Sequence, residues 1–107
     1  GLSSYGTSIN NLGQVTGYSP LANGQIRAFA WDANSMLALP TLGGNSSEGT
    51  GINDSGMIAG ISRLASGQRR AFLWDGSSMI NLGTLGGNES FAHGLNEHGW
   101  VVGYSQT

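Results

Sequence analysis

Shifted along itself by 43 residues, the chain meets its own sequence again. Residues 1–64 face residues 44–107 without a gap, and 33 of the 64 facing pairs are identical. "RAFAWD" (Arg27 to Asp32) faces "RAFLWD" (Arg70 to Asp75), and "MLALPTLGGN" (Met36 to Asn45) faces "MINLGTLGGN" (Met79 to Asn88). Some positions recur three times, among them Asn10, Asn53 and Asn96, and Gly17, Gly60 and Gly103. A period of roughly 20 to 50 residues marks one supersecondary unit that is repeated and stacked. Residues 1–107 therefore read as one repeat domain, with repeat 1 over 2–44, repeat 2 over 45–87 and a half repeat over 88–107.

Within a repeat, four short apolar runs alternate with turn signals. In repeat 2 these runs are "EGTGIN", "MIAGIS", "RRAFLWD" and "MINLGTL", separated by "NDSG", "RLASGQ" and "GSS". "NDSG" has Asn first and Gly fourth, which suits a type I turn whose Gly takes positive φ. Glycine recurs too often for helix, and no 3.6-residue apolar period is sustained. The expected unit is a four-stranded antiparallel sheet. In "RAFLWD" both faces of the strand are apolar, Phe72 and Trp74 on one and Ala71 and Leu73 on the other. Such a strand needs a layer on each side. The expected fold is all-β, with tandem four-stranded units stacked like the blades of a β-propeller; a β-solenoid-like stack is the alternative. Gly60 would then lie where backbones approach closely.

"GINDSGMIAGIS", "RRAFLWDG" and "MINLGTLGGNESFAHGLN" resemble the HAF-type bacterial extracellular repeat, over the whole chain, with Arg-Ala-Phe in place of His-Ala-Phe. The resemblance implies a location outside the bacterial cell or on its surface and a multi-repeat β structure. It supplies no catalytic residues. Members run several repeats in tandem, whereas two and a half stand here.

Composition narrows the chemistry. Four arginines, no lysine and six acids leave a net charge of −2, which gives no electrostatic reason to expect nucleic acid as a partner. No apolar run approaches the roughly 18 residues of a membrane helix, so membrane insertion is not expected. Nineteen glycines and two prolines in 107 residues stay below the level that suggests disorder. Without cysteine there is neither a disulfide scaffold nor thiol chemistry. The chain opens on Gly1 rather than Met, which reads as a processed product or a fragment.

Recurring residues are most simply explained by the fold. Trp31 and Trp74 read as inter-sheet packing, with a ligand platform as the other reading. Arg27 and Arg70 read as forks to backbone carbonyls or to Asp32 and Asp75. Asn10, Asn53 and Asn96 read as turn formers. The sequons at Asn45 and Asn88 lie in the same Gly-rich turn and are read as turn residues too. Candidates for function lie where repeats differ: Phe91, His93, His98 and Trp100 replace Glu48, Thr50, Ser55 and Met57. Tyr5, His93, His98 and Trp100 are the candidate ligand contacts, with a glycan as the ligand class. A metal site would need three ligands in good geometry, with only Glu89 and Glu97 nearby as carboxylates. No metal and no cofactor are expected. No Ser elbow and no paired-acid arrangement stands out, so no enzyme is expected.

The count of hairpins points to assembly. If the first two strands of a repeat form a front hairpin and the last two a back hairpin, the chain holds three fronts and two backs. The spare front, "FAHGLNEHGWVVGYS", carries Glu97 as its one formal charge, and an unguarded strand edge is a template for another chain. The expected partner is a second copy of the chain, in head-to-tail self-association that closes as a ring or runs on as a filament. Leu2, Tyr5, Val15 and Tyr18 are the candidates at one end, and Phe91, Trp100, Val101, Val102 and Tyr104 at the other.

Overall fold

The computed structural model describes residues 5–21, 23–32, 35–83, 89–95, 97 and 101–105. These residues form ten strands and no helix. Unit 1 holds β1 (Tyr5–Ile9), β2 (Val15–Pro20), β3 (Ile26–Asp32) and β4 (Ser35–Ala38). Unit 2 holds β5 (Gly43–Ile52), β6 (Ile58–Leu64), β7 (Arg69–Trp74) and β8 (Met79–Asn81). Unit 3 holds β9 (Ser90–Leu95) and β10 (Val101–Ser105). Within each unit neighbouring strands pair antiparallel in chain order. Units 1 and 2 are joined in one open sheet by a single parallel bridge, Ile26 to Ser46. The expected strands are all present, though β8 is shorter and β5 longer than the sequence suggested.

The turns follow from Asn and Gly. At Asn53 the backbone N–H donates to Met57 O (3.1 Å) while Asn53 O accepts from Gly56 N–H (3.0 Å). This is a type I turn closed by a glycine at φ 82°, a conformation that suits residues lacking Cβ. The Asn53 side-chain oxygen accepts from the N–H groups of Ser55 and Met57, which satisfies the tip. Asn10 repeats the arrangement with Leu12 and Gln14.

Two apolar layers hold the units together. Ala28 of β3 and Leu39 meet Ile52, Ile58, Phe72 and Trp74 of unit 2 in the larger one. The other face of β7 contributes Ala71, which joins Ala59 and Ala92 in a smaller layer flanked by Leu95 and Val101. Strand β7 is thus covered on both sides, as its two apolar faces require. Gly60 crosses β5 so closely that a Cβ would overlap Glu48 O and the Phe72 ring. Gly17 stands in the same relation to Tyr5 O, and Gly103 to Phe91 O.

The two tryptophans do not share one environment. Trp74 is 9% exposed, whereas Trp31 is 40% exposed. The expectation that both are packed between sheets holds for Trp74 only. Trp74 packs with Ala28 and Leu39 of unit 1, whereas Trp31 belongs to neither apolar layer.

Candidate functional site: the end faces and the inter-unit contacts

Each front hairpin carries the same irregularity. Pairing skips Thr7 between Gly6 and Ser8, Thr50 between Gly49 and Gly51, and His93 between Ala92 and Gly94. The extra residue is a β-bulge, which turns its side chain out of the ladder. Thr7 Oγ1 donates to Gly49 O (2.5 Å), and Thr50 Oγ1 donates to Ala92 O (3.0 Å). Each hydroxyl thereby ties its unit to the main chain of the next. Further links repeat with the same period. Ser47 Oγ accepts from Ala28 N–H and Ser90 Oγ from Ala71 N–H, both at 2.9 Å. Asn11 N–H donates to the Asp54 carboxylate, and Asp54 N–H to that of Glu97. Asn10 Nδ2 donates to Asn53 O at 2.8 Å.

Asn10 and Asn53 are therefore turn formers as expected, and Asn10 is also a tie between units. The bulge donors and the Ser47 and Ser90 acceptors escaped the sequence reading. Their signal was present: Thr7 and Thr50 are identical at the repeat offset, polar, and in mid-strand.

Exposure distinguishes several positions of unit 1 from their repeat equivalents in unit 2. On the outer face of unit 1, Ile9 is 67% exposed and Met36 52%, besides Trp31. The equivalent Ile52 is 9% exposed, packed with Trp74 against Ala28 and Leu39 of unit 1. Tyr5 is also exposed at this end and stacks on Tyr18, with ring centroids 5.1 Å apart. Val15 and Tyr18 are half-buried. Leu2 lies outside the described residues.

At the other end, Tyr104 pairs with Phe91 and Val102 with Gly94 across the hairpin. Val101 packs against the smaller apolar layer. Phe91 is half-buried rather than an outward surface: the Arg69 guanidinium lies 4.8 Å over its ring. Arg69 at the same time forks onto Glu89, with Nε to Oε2 at 2.8 Å and the second nitrogen to Oε1 at 3.1 Å. That hydrogen-bonded cation holds the Glu89 carboxyl below its ordinary value. His93 is exposed on the bulge, while His98 and Trp100 lie outside the described residues. Of the candidate ligand contacts within the described residues, Tyr5 lies on β1 of unit 1 and His93 on β9 of unit 3.

Arg27 and Arg70 do reach main-chain carbonyls, Arg27 to Ile26 O and Asn45 O, Arg70 to Arg69 O. Asp75 accepts from the N–H groups of Ser78 and Ser77, which lowers its carboxyl from the ordinary value.

A groove of about 300 Å³ opens between units 1 and 2, lined by Ile26, Asn45, Ser46, Glu48, Arg63 and Arg69 among others. One repeat on, the corresponding residues of Ile26, Ser46 and Glu48 are Arg69, Glu89 and Phe91, the interacting trio just described. The groove is open where Ile and Ser are too small to do what Arg and Glu do.

Compared with protein-family models, with curated proteins and with solved structures, the chain matches none.

Proposed function

We propose that this chain is a non-enzymatic structural repeat protein that associates head to tail through its terminal hairpins. Its units stack as propeller blades stack, and the assembly closes as a ring or extends as a filament. The contrast between Ile9 at 67% exposed and Ile52 at 9% carries this reading. The two residues hold equivalent positions, and they differ in whether a unit stands before them. An exposed apolar face of this kind marks an interaction site, and unit 1 is the layer that covers its counterpart in unit 2. Low charge leaves little repulsion between copies. The resemblance to the HAF-type repeat supports a place outside the bacterial cell or on its surface.

Light scattering on the purified chain over a range of concentrations tests the proposal. Assembly should grow with concentration, and Ile9→Glu with Trp31→Glu should reduce particles to monomers that keep the strand signal of the parent in circular dichroism. A parent chain that remains monomeric at high concentration rules the reading out.

A second reading is favoured by the groove between units 1 and 2. Its hydroxyl, amide, carboxylate and guanidinium groups, beside Ile26 and Ile61, suit a small glycan. Calorimetric titration with a panel of sugars checks it: saturable heat that is lost in Arg63→Ala supports the groove, and no heat with any sugar removes it. In a third reading, the chain is a portion of a larger propeller, and the units that cover its ends belong to the same polypeptide.

A further inference from the structure

The groove beside the Ile26–Ser46 bridge carries opposite charge at its two ends. Strand β6 lines it with Ile61 and Arg63, which share one face because side chains alternate along a strand. Glu48 of β5 pairs with Ile61, and Ser47 pairs with Ser62. Arg63 therefore lies two residues beyond the partner of Glu48, about 7 Å along the strand. On its other side Arg63 pairs with Arg69 of β7, and like charges directly opposite one another repel. Glu89 answers one of the two, because it takes the Arg69 fork. The Glu89 carboxyl, held below its ordinary value chiefly by the Arg69 hydrogen bond, feels the Arg63 charge as well. Two cations and one anion leave this end of the groove net positive, whereas Glu48 makes the other end negative.

The polar groups of the groove are also uncommitted. Recurring polar side chains elsewhere, such as Ser47, Ser62, Asn10 and Asn53, are tied into the fold. Arg63 uses one nitrogen, Nη1, which donates to Gly67 O at 2.7 Å. Among the described residues, its Nε and Nη2, the Ser46 hydroxyl and the Glu48 carboxylate make no hydrogen bond. Ile26 and Ile61 add aliphatic walls. One repeat on, Arg69, Glu89 and Phe91 close on one another, so the opening belongs to this junction.

We infer that this groove binds an acidic sugar, a uronate unit of an anionic polysaccharide. The inference rests on the glycan reading of the groove and deepens it by naming the class of sugar. The ligand carboxylate accepts from Arg63 Nε and Nη2 together, the two-pronged geometry that a guanidinium offers and an ammonium does not. The ring hydroxyls donate to Glu48 and exchange hydrogen bonds with Ser46, and the C–H face of the ring lies along Ile26 and Ile61. A six-membered ring with its substituents spans the separation of Arg63 from Glu48. A neutral sugar leaves the Arg63 charge unanswered. A simple carboxylate leaves Glu48 and the aliphatic walls unused. The groove therefore selects against both.

Sodium glucuronate, glucose and sodium acetate are the probes, each titrated into the full chain and followed by amide shifts in the nuclear magnetic resonance spectrum. Glucuronate should saturate, with shifts centred on Ser46, Glu48, Ile61 and Arg63. It should bind about tenfold or more tighter than glucose, the scale of one charge-assisted hydrogen-bonded pair. Acetate should not saturate over the same range. Arg63→Gln keeps donors and removes the charge, so it should bring glucuronate down to the level of glucose. Arg63→Lys keeps the charge and loses the fork, so its preference should fall between the two; with the strand signal in circular dichroism, it separates a lost contact from a lost fold. Glucose that binds as tightly as glucuronate overturns the inference and leaves the glycan reading standing. Acetate that matches glucuronate overturns it too, because the ring then contributes nothing, and so do shifts centred outside the groove. Neither sugar saturating up to about 10 mM, beyond the millimolar end of the affinity scale, removes the glycan reading and the inference together.

Discussion

Gly60 shows how much one missing atom can decide. Its backbone passes under the Phe72 ring and beside Glu48 O, so a methyl group there must displace main chain as well as an aromatic ring. Gly60→Ala should cost about 2–3 kcal/mol in chemical denaturation, as overpacked cores do. The tryptophans form a matched pair of probes. Trp74→Ala empties a buried site and should cost about 3–5 kcal/mol, whereas Trp31→Ala removes a side chain that is 40% exposed and should cost about 1–2 kcal/mol. Equal losses would mean that Trp31 is covered in solution. Glu89 supplies a pH signature. Its carboxyl titrates below the ordinary value because Arg69 favours the charged form. The pair's contribution is therefore present above the ordinary carboxylate range and fades as pH falls through the folded-state value. Stability curves of the parent and Glu89→Gln should converge in acid and separate toward neutrality. The close approach at Gly60 was legible because a glycine recurs there three times in an apolar run. The fate of Trp31 was not, because identity at the repeat offset reports the backbone site and says nothing of whether a neighbour stands over it.

At the scale of the hairpin, local chemistry and long-range contact use the same residues. Asn10 shapes its own turn through its side-chain oxygen and reaches Asn53 O through its nitrogen. Turn formation is written in the neighbouring sequence, so the Asn–Gly spacing revealed it. The reach to the next unit depends on where the bulge and the stacking bring that unit, which no local spacing encodes. The bulge threonines make the point testable. Thr50→Val keeps the shape and removes a donor shared by Ala59 O and Ala92 O. A loss of about 1–2 kcal/mol is expected from an unsatisfied contact of this type. Hydrogen exchange should also quicken in β9 before it does in β7, since the lost tie is to unit 3.

At the scale of the whole molecule, the repeat units meet through two apolar layers among the described residues, and stability in a repeat array approximates a sum of units and of the interfaces between neighbours. Its two interfaces are unequal: the first buries Phe72, Trp74, Ile52 and Ile58, and the second is built mainly on alanines. Deleting Phe91 to Thr107 should therefore lower the melting temperature less than an equal cut into unit 1, and light scattering should show assembly abolished. Unchanged particle size after the deletion would remove the terminal hairpin from the account of assembly. The order of units was readable from the period alone, whereas the inequality of the interfaces depends on which aromatics have a neighbour. One consequence lies in the bulge ties. The donor is a fixed threonine, but the acceptor is a peptide carbonyl, at Gly49 in one unit and at Ala92 in the next. Every residue type carries that acceptor, so the joint itself asks nothing of the receiving side chain; packing alone keeps that position small, since a Cβ on Gly49 would meet Thr16 Oγ1 and Ala92 is fully buried. Copies of the unit can then diverge on their outer surfaces and still be shuffled, duplicated or reordered, much as couplings of one gauge allow unlike carriages to be joined in any order.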